Sequence, residues 1–309
     1  MHDIATQLVL KWPRMGSDYR NQVTSDFTRL TLETIALCAM DFRFNSFYSD
    51  DMHPFIQAMT NSLKSGTVPS SVIGILNSSG GAGRASVEAD RKLRELIFSQ
   101  MVQHRRDNLT SKKGLLNAMV HGKDPRTGAN MRDELISANM VTFLITGYET
   151  TSGLLSFAFL NLLKNPAAYF PARKEVDEVV GRGKVKAEQS KNVKYFNVVS
   201  RETLRLKPTA PALFRQPREE IYDTPSTIGG RLINKDARIL VLISKSQRDP
   251  ELYGEDANEF GPERLLDGNF EKLPKSAWKT IRNWRTSLHW TALRMAGGTT
   301  CHRYDATAF

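Results

Sequence analysis

The longest apolar segment of the chain lies between Met131 and Asn165, and it limits the folds that the chain can adopt. Two stretches within it, Leu135 to Tyr148 and Thr150 to Leu163, each contain 14 residues without a charge. Neither stretch reaches the roughly 18 apolar residues that indicate a transmembrane helix. An Asn-Pro pair ends the segment, because the residue before a proline disfavours helical geometry. The pattern predicts one long, buried, central helix and no membrane span.

The rest of the pattern is mostly helical, with a short β region near its end. Apolar residues recur at helical spacing in the first forty residues, which predicts two helices, and again from about Ser86 to His104 after a glycine-rich loop at 77–83. A further helix is predicted from about Val193 to Leu206, and Arg238 to Ser244 is the clearest strand. Helices followed by a small sheet predict a mainly α fold with a small β region, of the α+β class.

The centre of the long helix places polar groups among apolar neighbours. It reads LITGYETT from Leu144 to Thr151. A threonine hydroxyl can bond back to the preceding turn, and Gly147 adds freedom there, so we expect a local bulge. A buried acid beside an alcohol, Glu149 and Thr150, could relay protons into a dry pocket by general acid catalysis. The alternative is a polar stripe that faces solvent.

A second set of charged residues lies further along the chain. Glu202 and Arg205 are three residues apart on one predicted helix face, where a carboxylate and a guanidinium can pair. Arg264, in the segment FGPER, could complete a buried lock of three charges. Taken alone, the first two residues are more typical of an ordinary pair on a surface helix.

Together, these segments resemble the haem domain of cytochrome P450 enzymes. The resemblance is carried by four segments in the same order and spacing, namely GYETTSGLLSF, ETLRLKPTAPALFR, IGGRLINKDARILVLIS and QRDPELYGEDANEFGPERLLD. It covers residues 1–279, which we interpret as a partial haem domain. HDIATQLVLKWPRM and FRFNSFY are similar to the fatty-acid hydroxylases in which the haem domain is fused to a flavin reductase. In that family about a third more residues would precede Met1.

The resemblance implies roles for individual residues. Glu149 and Thr150 would deliver protons to dioxygen, while Thr146, Gly147 and Thr151 would line the oxygen pocket at the haem. The residues of the structural lock would be Glu202, Arg205 and Arg264. Three positions depart from the family pattern, namely Thr146, Tyr148 and Lys207.

The resemblance also implies cofactors, a substrate and a partner. Haem would be the resident cofactor, and NADPH, FAD and FMN would act only through a reductase. The substrate would be a fatty acid or a similar apolar molecule, oxidised at a C–H bond by a monooxygenase. Two alternatives remain: a non-catalytic remnant, or a lipid-binding protein that uses the residual apolar cavity.

The resemblance stops after Lys279. The family continues there with a Phe-Gly-x-Gly-x-Arg-x-Cys-x-Gly loop, whose thiolate is the protein ligand of the iron. This chain reads TIRNWRTSLHW instead, and Leu288 stands where the cysteine is expected. Cys301 lies far beyond that position, and His289 lacks the glycines that allow such a loop to approach the ring. We therefore expect no metal ligand and an inactive copy.

The composition of the end of the chain indicates a wrong reading frame at 280–309. No acid occurs from Lys272 to Tyr304, and three of the four tryptophans lie between 278 and 290. If the frame is moved forward by one base, Trp284 and Trp290 must become glycines, and Met295 must become tryptophan. The shifted frame then permits PFGxGxRACIGRPFAWQEA from Thr280 onward, with both glycines where the motif requires them.

The net charge and the cysteines indicate which partners and which cellular location to expect. The net charge is +10, but residues 273–309 carry six Lys or Arg against one acid, so half of the excess lies in the tail. No nucleic-acid-binding fold accompanies this charge, so we predict no nucleic-acid partner. Cys38 and Cys301 form no disulfide framework, and the first residues do not read as a secretion signal, which predicts a cytoplasmic location.

Overall fold

The computed structural model describes most of the chain between its first residue and Trp278. The described residues are 1–16, 18–49, 51, 53–54, 56, 92, 95, 98–108, 114–181, 183, 186–217, 226–234, 236–274 and 277–278. The chain divides into two compact units, Met1–Ser152 and Gly153–Phe309. The tail at 280–309, the loop at 77–83 and most of the predicted helix from Ser86 to His104 lie outside the described residues, although 98–107 are helical.

The first unit begins with two helices, α1 (His2–Arg14) and α2 (Val23–Met40), as the apolar spacing predicts. Ile4 and Leu8 of α1 are buried, at one-turn spacing. Lys11 and Trp12 both donate to the buried carboxylate of Asp26, over 2.6 and 2.7 Å, which fixes α1 against α2. A short helix, α3 (Leu115–His121), follows.

The long central helix, α4, spans Asp133–Lys164, within two residues of the predicted bounds. Asp133 and Glu134 occupy its first turn, where negative charge favours the helix dipole. Ile136, Met140 and Leu144 have no exposure and recur every four residues, so one face of α4 is core. No helix among the residues that the structure describes is both long and apolar enough to cross a membrane.

The second unit continues with α5 (Pro166–Val180), a 3₁₀ turn at Ala187–Lys191 and α6 (Lys194–Leu206). Leu162, Ala168, Ala172 and Val199 form a core cluster between the end of α4, α5 and α6. The carboxylate of Glu175, on α5, accepts from the backbone N–H groups of Tyr195 and Phe196 over 2.8 and 2.9 Å. This carboxylate therefore caps the N-terminus of α6.

Four short strands follow α6 and form two antiparallel pairs. Strand β1 (Ala212–Arg215) pairs with β4 (Ile239–Leu242), and β2 (Ser226–Ile228) pairs with β3 (Arg231–Ile233). Gly229 and Gly230 make the predicted turn, with φ values of 55° and 74°. The observed strand, Ile239–Leu242, is shorter than the strand predicted from Arg238 to Ser244, because a helix begins at Ile243.

The remaining elements are single turns that surround α6. They are α7 (Ile243–Ser246), α8 (Pro250–Tyr253), a 3₁₀ turn (Pro262–Leu265) and α9 (Asn269–Lys272). The described architecture is thus mainly α with small antiparallel strand pairs, as the sequence predicts.

Candidate functional site

The structure brings Glu202 and Arg205 together inside the second unit. Both side chains lie on the buried face of α6, and neither has any exposure. Arg205 Nε donates to Glu202 Oε2 over 2.8 Å, and Nη2 donates to Oε1 over 2.7 Å. This two-bond geometry is the strongest arrangement for an arginine–carboxylate pair. The pair therefore is not the surface pair that the spacing alone allowed.

Backbone carbonyls accept the remaining hydrogen bonds of the Arg205 guanidinium. It donates to the carbonyl oxygens of Gln247, Ala257 and Glu259 over 2.8, 2.5 and 3.0 Å. Its Cζ atom lies 4.9 Å from the ring centroid of Tyr253. A buried guanidinium is stable only when its charge and its donors are satisfied, and here both conditions are met.

Arg264 joins the same cluster from the 3₁₀ turn at Pro262–Leu265. Its Nε donates to Glu202 Oε1 over 3.0 Å, and its Nη2 donates to Asp256 Oδ2 over 2.8 Å. The hydrogen bond from Arg264 lowers the pKa of the Asp256 carboxyl below its ordinary value. The cluster thus contains four charged side chains, two of each sign.

Packing around Arg264 also explains the glycine of the FGPER segment. A Cβ atom added to Gly261 would lie 3.1 Å from Arg264 Nη2. The backbone N–H of Gly261 donates to Glu202 Oε1 over 3.1 Å. The absence of a side chain at this position lets the backbone and the arginine approach the same carboxylate.

The polar residues of α4 belong to the first unit and form a ladder of hydroxyl groups. Thr146 and Thr150 donate to the carbonyl oxygens four residues earlier, Thr142 and Thr146, over 2.8 and 2.7 Å. Thr151 is buried and donates to the carbonyl oxygen of Gly147 over 2.8 Å. These bonds hold the hydroxyls of the predicted site against the helix backbone.

Two expectations for this segment are not met in the structure. The helix is α-helical throughout, so the predicted bulge at Gly147 is not present: the threonine hydroxyls bond back to the carbonyl oxygens four residues earlier without interrupting the helix. Glu149 and Thr146 are exposed, whereas a buried acid was expected. The polar residues of this segment thus differ in burial: Thr146 and Glu149 are exposed, whereas Thr151 is buried.

Comparison with known proteins identifies the family. The family model for cytochrome P450 matches residues 2–279. The chain belongs to the cytochrome P450 family. Three relatives are reductase fusions or self-sufficient enzymes, from Aspergillus oryzae, Phanerodontia chrysosporium and Acremonium egyptiacum. The first, a bifunctional cytochrome P450/NADPH–P450 reductase, is 50% identical over 92% of this chain.

The other two relatives give similar values. The self-sufficient cytochrome P450 monooxygenase of P. chrysosporium is 46% identical over 90% of this chain, and the bifunctional cytochrome P450/NADPH–P450 reductase of A. egyptiacum is 42% identical over 95%. These alignments cover 26%, 26% and 29% of the three relatives. The P450 chain thus spans about a quarter of their length.

The described residues do not fit a P450 haem that is held by a thiolate. Cys38 is the free cysteine within the described part of the chain and is exposed on α2; desolvation by the neighbouring residues raises the pKa of its thiol, which disfavours the thiolate. No group of three His, Cys, Asp or Glu residues that could hold a metal occurs among the described residues. Leu288, His289 and Cys301 lie outside them.

The sequence did not predict two contributors to the charged cluster, or the carboxylate that caps α6. Asp256 and Tyr253 lie 8 and 11 residues before Arg264, and each accepts a hydrogen bond from it. Loop residues of this kind follow no helix or strand period, so periodicity gives no signal for them. Glu175 was also missed, because its partner is the N-terminus of another helix.

Proposed function

We propose that this chain comes from the haem domain of a self-sufficient monooxygenase that hydroxylates a fatty acid or a similar apolar substrate. The observation that carries this proposal is the cytochrome P450 match over residues 2–279, together with relatives named as self-sufficient monooxygenases or reductase fusions. Dioxygen is the oxidant, and two electrons come from NADPH through the FAD and FMN of a reductase partner.

Within that enzyme, we assign the proton-handling role to Glu149 and Thr150. The two residues are adjacent on α4, and Glu149 is exposed on the same helix as the half-buried Thr150 hydroxyl. A carboxylate at this position can exchange protons with water and with a neighbouring hydroxyl. By the same family pattern we assign the lining of the oxygen pocket to Thr146, Gly147 and Thr151, which lie within two turns of α4.

We further propose that residues 280–309 are translated out of frame, so that this copy does not hold haem as a thiolate complex. The match to the family ends at residue 279, one residue before the predicted shift. Two of the three residues that the shifted frame forces, the glycines at Trp284 and Trp290, fall on the glycines of the cysteine loop, and the third, a tryptophan at Met295, lies five residues beyond the loop. The family cysteine would then replace Leu288.

We also propose a reducing, cytoplasmic setting for the protein. Residues 1–279, the part proposed to be in frame, contain a single cysteine, Cys38. One cysteine gives no disulfide framework, which secreted domains of small size often require.

A carbon monoxide difference spectrum of the reduced protein tests this proposal. Three proteins are compared: the chain as written, the frame-restored chain, and the frame-restored chain preceded by the N-terminal segment of the A. oryzae relative. A thiolate-type Soret band is expected only after the frame is restored, and most strongly in the third protein. The single change Leu288→Cys in the written chain is the matched control and should give no such band.

The outcomes separate the alternatives. A thiolate-type band from the chain as written would falsify the inactive-copy proposal. No band from the third protein would overturn the assignment as a monooxygenase haem domain. Fatty acid that co-purifies with the written chain, without haem, would favour a lipid-binding protein instead, and neither haem nor lipid would favour a non-catalytic remnant.

A further inference from the structure

Strands β1 and β4, in the second unit, carry exposed apolar side chains on one face of their sheet. Phe214 on β1 pairs with Leu240 on β4, and Ala212 pairs with Leu242. Cross-strand partners point to the same face of a sheet, and so do residues two apart along a strand. Phe214, Leu240 and Leu242 are 70%, 49% and 48% exposed. These three side chains form an apolar strip, and a contiguous exposed strip of this kind often marks a binding surface.

One end of the apolar strip opens into a pocket. The pocket has a volume of about 410 Å³ and is lined by Phe214, Arg215, Gln216 and Arg238. Phe214 belongs to both the strip and the pocket, so the two are continuous. The register of β1 with β4, extended by one residue, places Gln216 opposite Arg238. The volume lies in the range of pockets that bind small organic molecules.

The two arginines give this pocket a positive charge. Guanidinium groups are charged at neutral pH, and no acidic side chain is among the described residues that line the pocket. Neither Arg215 nor Arg238 has an ion-pair partner elsewhere in the described part of the chain. Two like charges beside one cavity repel each other, and a bound anion offsets that repulsion. The pocket is therefore complementary to an anion, and a guanidinium can donate two N–H groups to one carboxylate.

We propose that Arg215 and Arg238 bind the carboxylate of a fatty acid, and that its alkyl chain lies along the apolar strip. This inference rests on the proposed function, whose substrate is a fatty acid or a similar apolar molecule, and it selects the acid from that class. A strand advances about 3.4 Å per residue, so the strip from Arg238 to Leu242 is about 14 Å long. The two arginines are thus positioning residues, because they fix which end of the substrate stays at the pocket.

Equilibrium dialysis of the full chain against three ligands of equal chain length tests this proposal. Decanoate, decanol and decylammonium share one alkyl chain and carry a negative, a neutral and a positive head group. Decanoate should bind about tenfold more tightly than decanol, because the guanidinium groups add charge-assisted hydrogen bonds. This difference should shrink as salt is added, because exposed charges are screened. Equal affinities for the acid and the alcohol at low salt would overturn the proposal.

Removal of one charge at a time identifies the anchoring residues. Arg215→Gln and Arg238→Gln each keep a long polar side chain and should weaken decanoate binding about fivefold, with no change for decanol. Arg238→Glu should reverse the preference, so that decylammonium binds more tightly than decanoate. Arg231→Gln is the matched control, since Arg231 is an exposed arginine on β3 that does not line the pocket. An equal loss of decanoate binding in Arg231→Gln would indicate a general effect of surface charge and refute the assignment.

The apolar strip is tested by a variant that acts on the alkyl chain. Phe214→Ala should weaken the binding of decanoate and decanol by the same factor, about fivefold, because both lose the same apolar contact. Leu232→Ala is the control, since Leu232 is 73% exposed on β3 and lies outside the strip. If Phe214→Ala leaves both affinities unchanged, the alkyl chain does not lie along this face.

The same ligands and variants are measured in the frame-restored chain preceded by the N-terminal segment of the A. oryzae relative, so the test holds if the written chain does not fold. The carbon monoxide spectrum of that protein separates the two ideas. A thiolate-type band together with decanoate binding that does not depend on the arginines refutes the carboxylate site alone. No band together with arginine-dependent decanoate binding refutes the monooxygenase assignment and leaves a fatty-acid-binding site.

Discussion

Arg205 and Glu202 meet through two parallel hydrogen bonds, of 2.8 and 2.7 Å, with both side chains fully buried. A charge in this position cannot be solvated if its partner is removed. The pair is therefore a point at which small chemical changes should have large effects on folding.

Removal of the carboxylate in Glu202→Ala should destabilise the protein by about 3–5 kcal/mol, because Arg205 would be left as a buried, unpaired charge. Urea unfolding of the full chain measures this. Glu271→Ala is the control: this carboxylate is 68% exposed and lies 3.7 Å from Arg201, so its loss should cost about 1 kcal/mol or less. Equal losses for the two variants would contradict the burial of the cluster.

Tyr253 should make the stability of the protein fall at high pH. Burial raises the pKa of its hydroxyl from the ordinary 10.0 to about 12. The neutral phenol is favoured in the folded state, so its contribution is complete below pH 10 and is lost as the pH rises toward 12. Between these limits the wild type should lose on the order of 1 kcal/mol more than Tyr253→Phe.

Denaturant unfolding at a series of pH values measures the difference. Tyr48→Phe is the matched control, because Tyr48 is 77% exposed and should leave the pH profile unchanged. If the profiles of Tyr253→Phe and the wild type coincide, the hydroxyl of Tyr253 is not buried as the structure indicates.

The carboxylate that caps α6 should matter more than its neighbours on α5. Glu175→Ala removes both hydrogen bonds to the first N–H groups of α6 and should cost about 1 kcal/mol, as for other helix caps. Glu178→Ala, in an exposed pair with Lys174 at 3.8 Å, should change stability by less than about 0.5 kcal/mol. Thermal unfolding of the two variants decides the point.

Thr150 should affect catalysis but not folding. In the frame-restored protein with its reductase, Thr150→Val should lower hydroxylation by about 100-fold, the lower end for general acid–base catalysis, with little change in melting temperature. Thr142→Val is the control, since Thr142 makes the same backbone hydrogen bond two turns earlier, over 2.9 Å. Equal losses of activity would indicate a general helix effect and remove the special role of Thr150.

The reading frame can be tested on the nucleic acid itself. We expect the frame that begins one base later at Thr280 to encode the cysteine loop and to continue open. Both histidine codons begin with C. The Leu288 codon must therefore end in TG, so that the shifted triplet, TGC, encodes cysteine. Sequencing of the gene and its transcript checks this, and an early stop or another leucine codon would refute the shift.

The sequence alone determined the features that depend on the periodicity of apolar residues or on the conformational preferences of neighbouring residues. The bounds of α4 follow from a long apolar period closed by Asn165-Pro166, and the turn at Gly229-Gly230 follows from a backbone conformation that favours glycine. The approximate bounds of α6 and the membership of Glu202, Arg205 and Arg264 in one motif were likewise predictable, because their order and spacing match the family.

Only the tertiary structure decided what each polar group touches. Glu149 is exposed in the structure, because the sequence of a helix does not say which neighbours cover each of its faces. The structure also has no bulge in α4. Asp256, Tyr253 and Glu175 reach their partners from other elements, so the required distances depend on packing and not on sequence spacing. For the same reason, the sequence identifies Trp278 only as an aromatic residue, whereas packing buries its indole nitrogen away from any described acceptor.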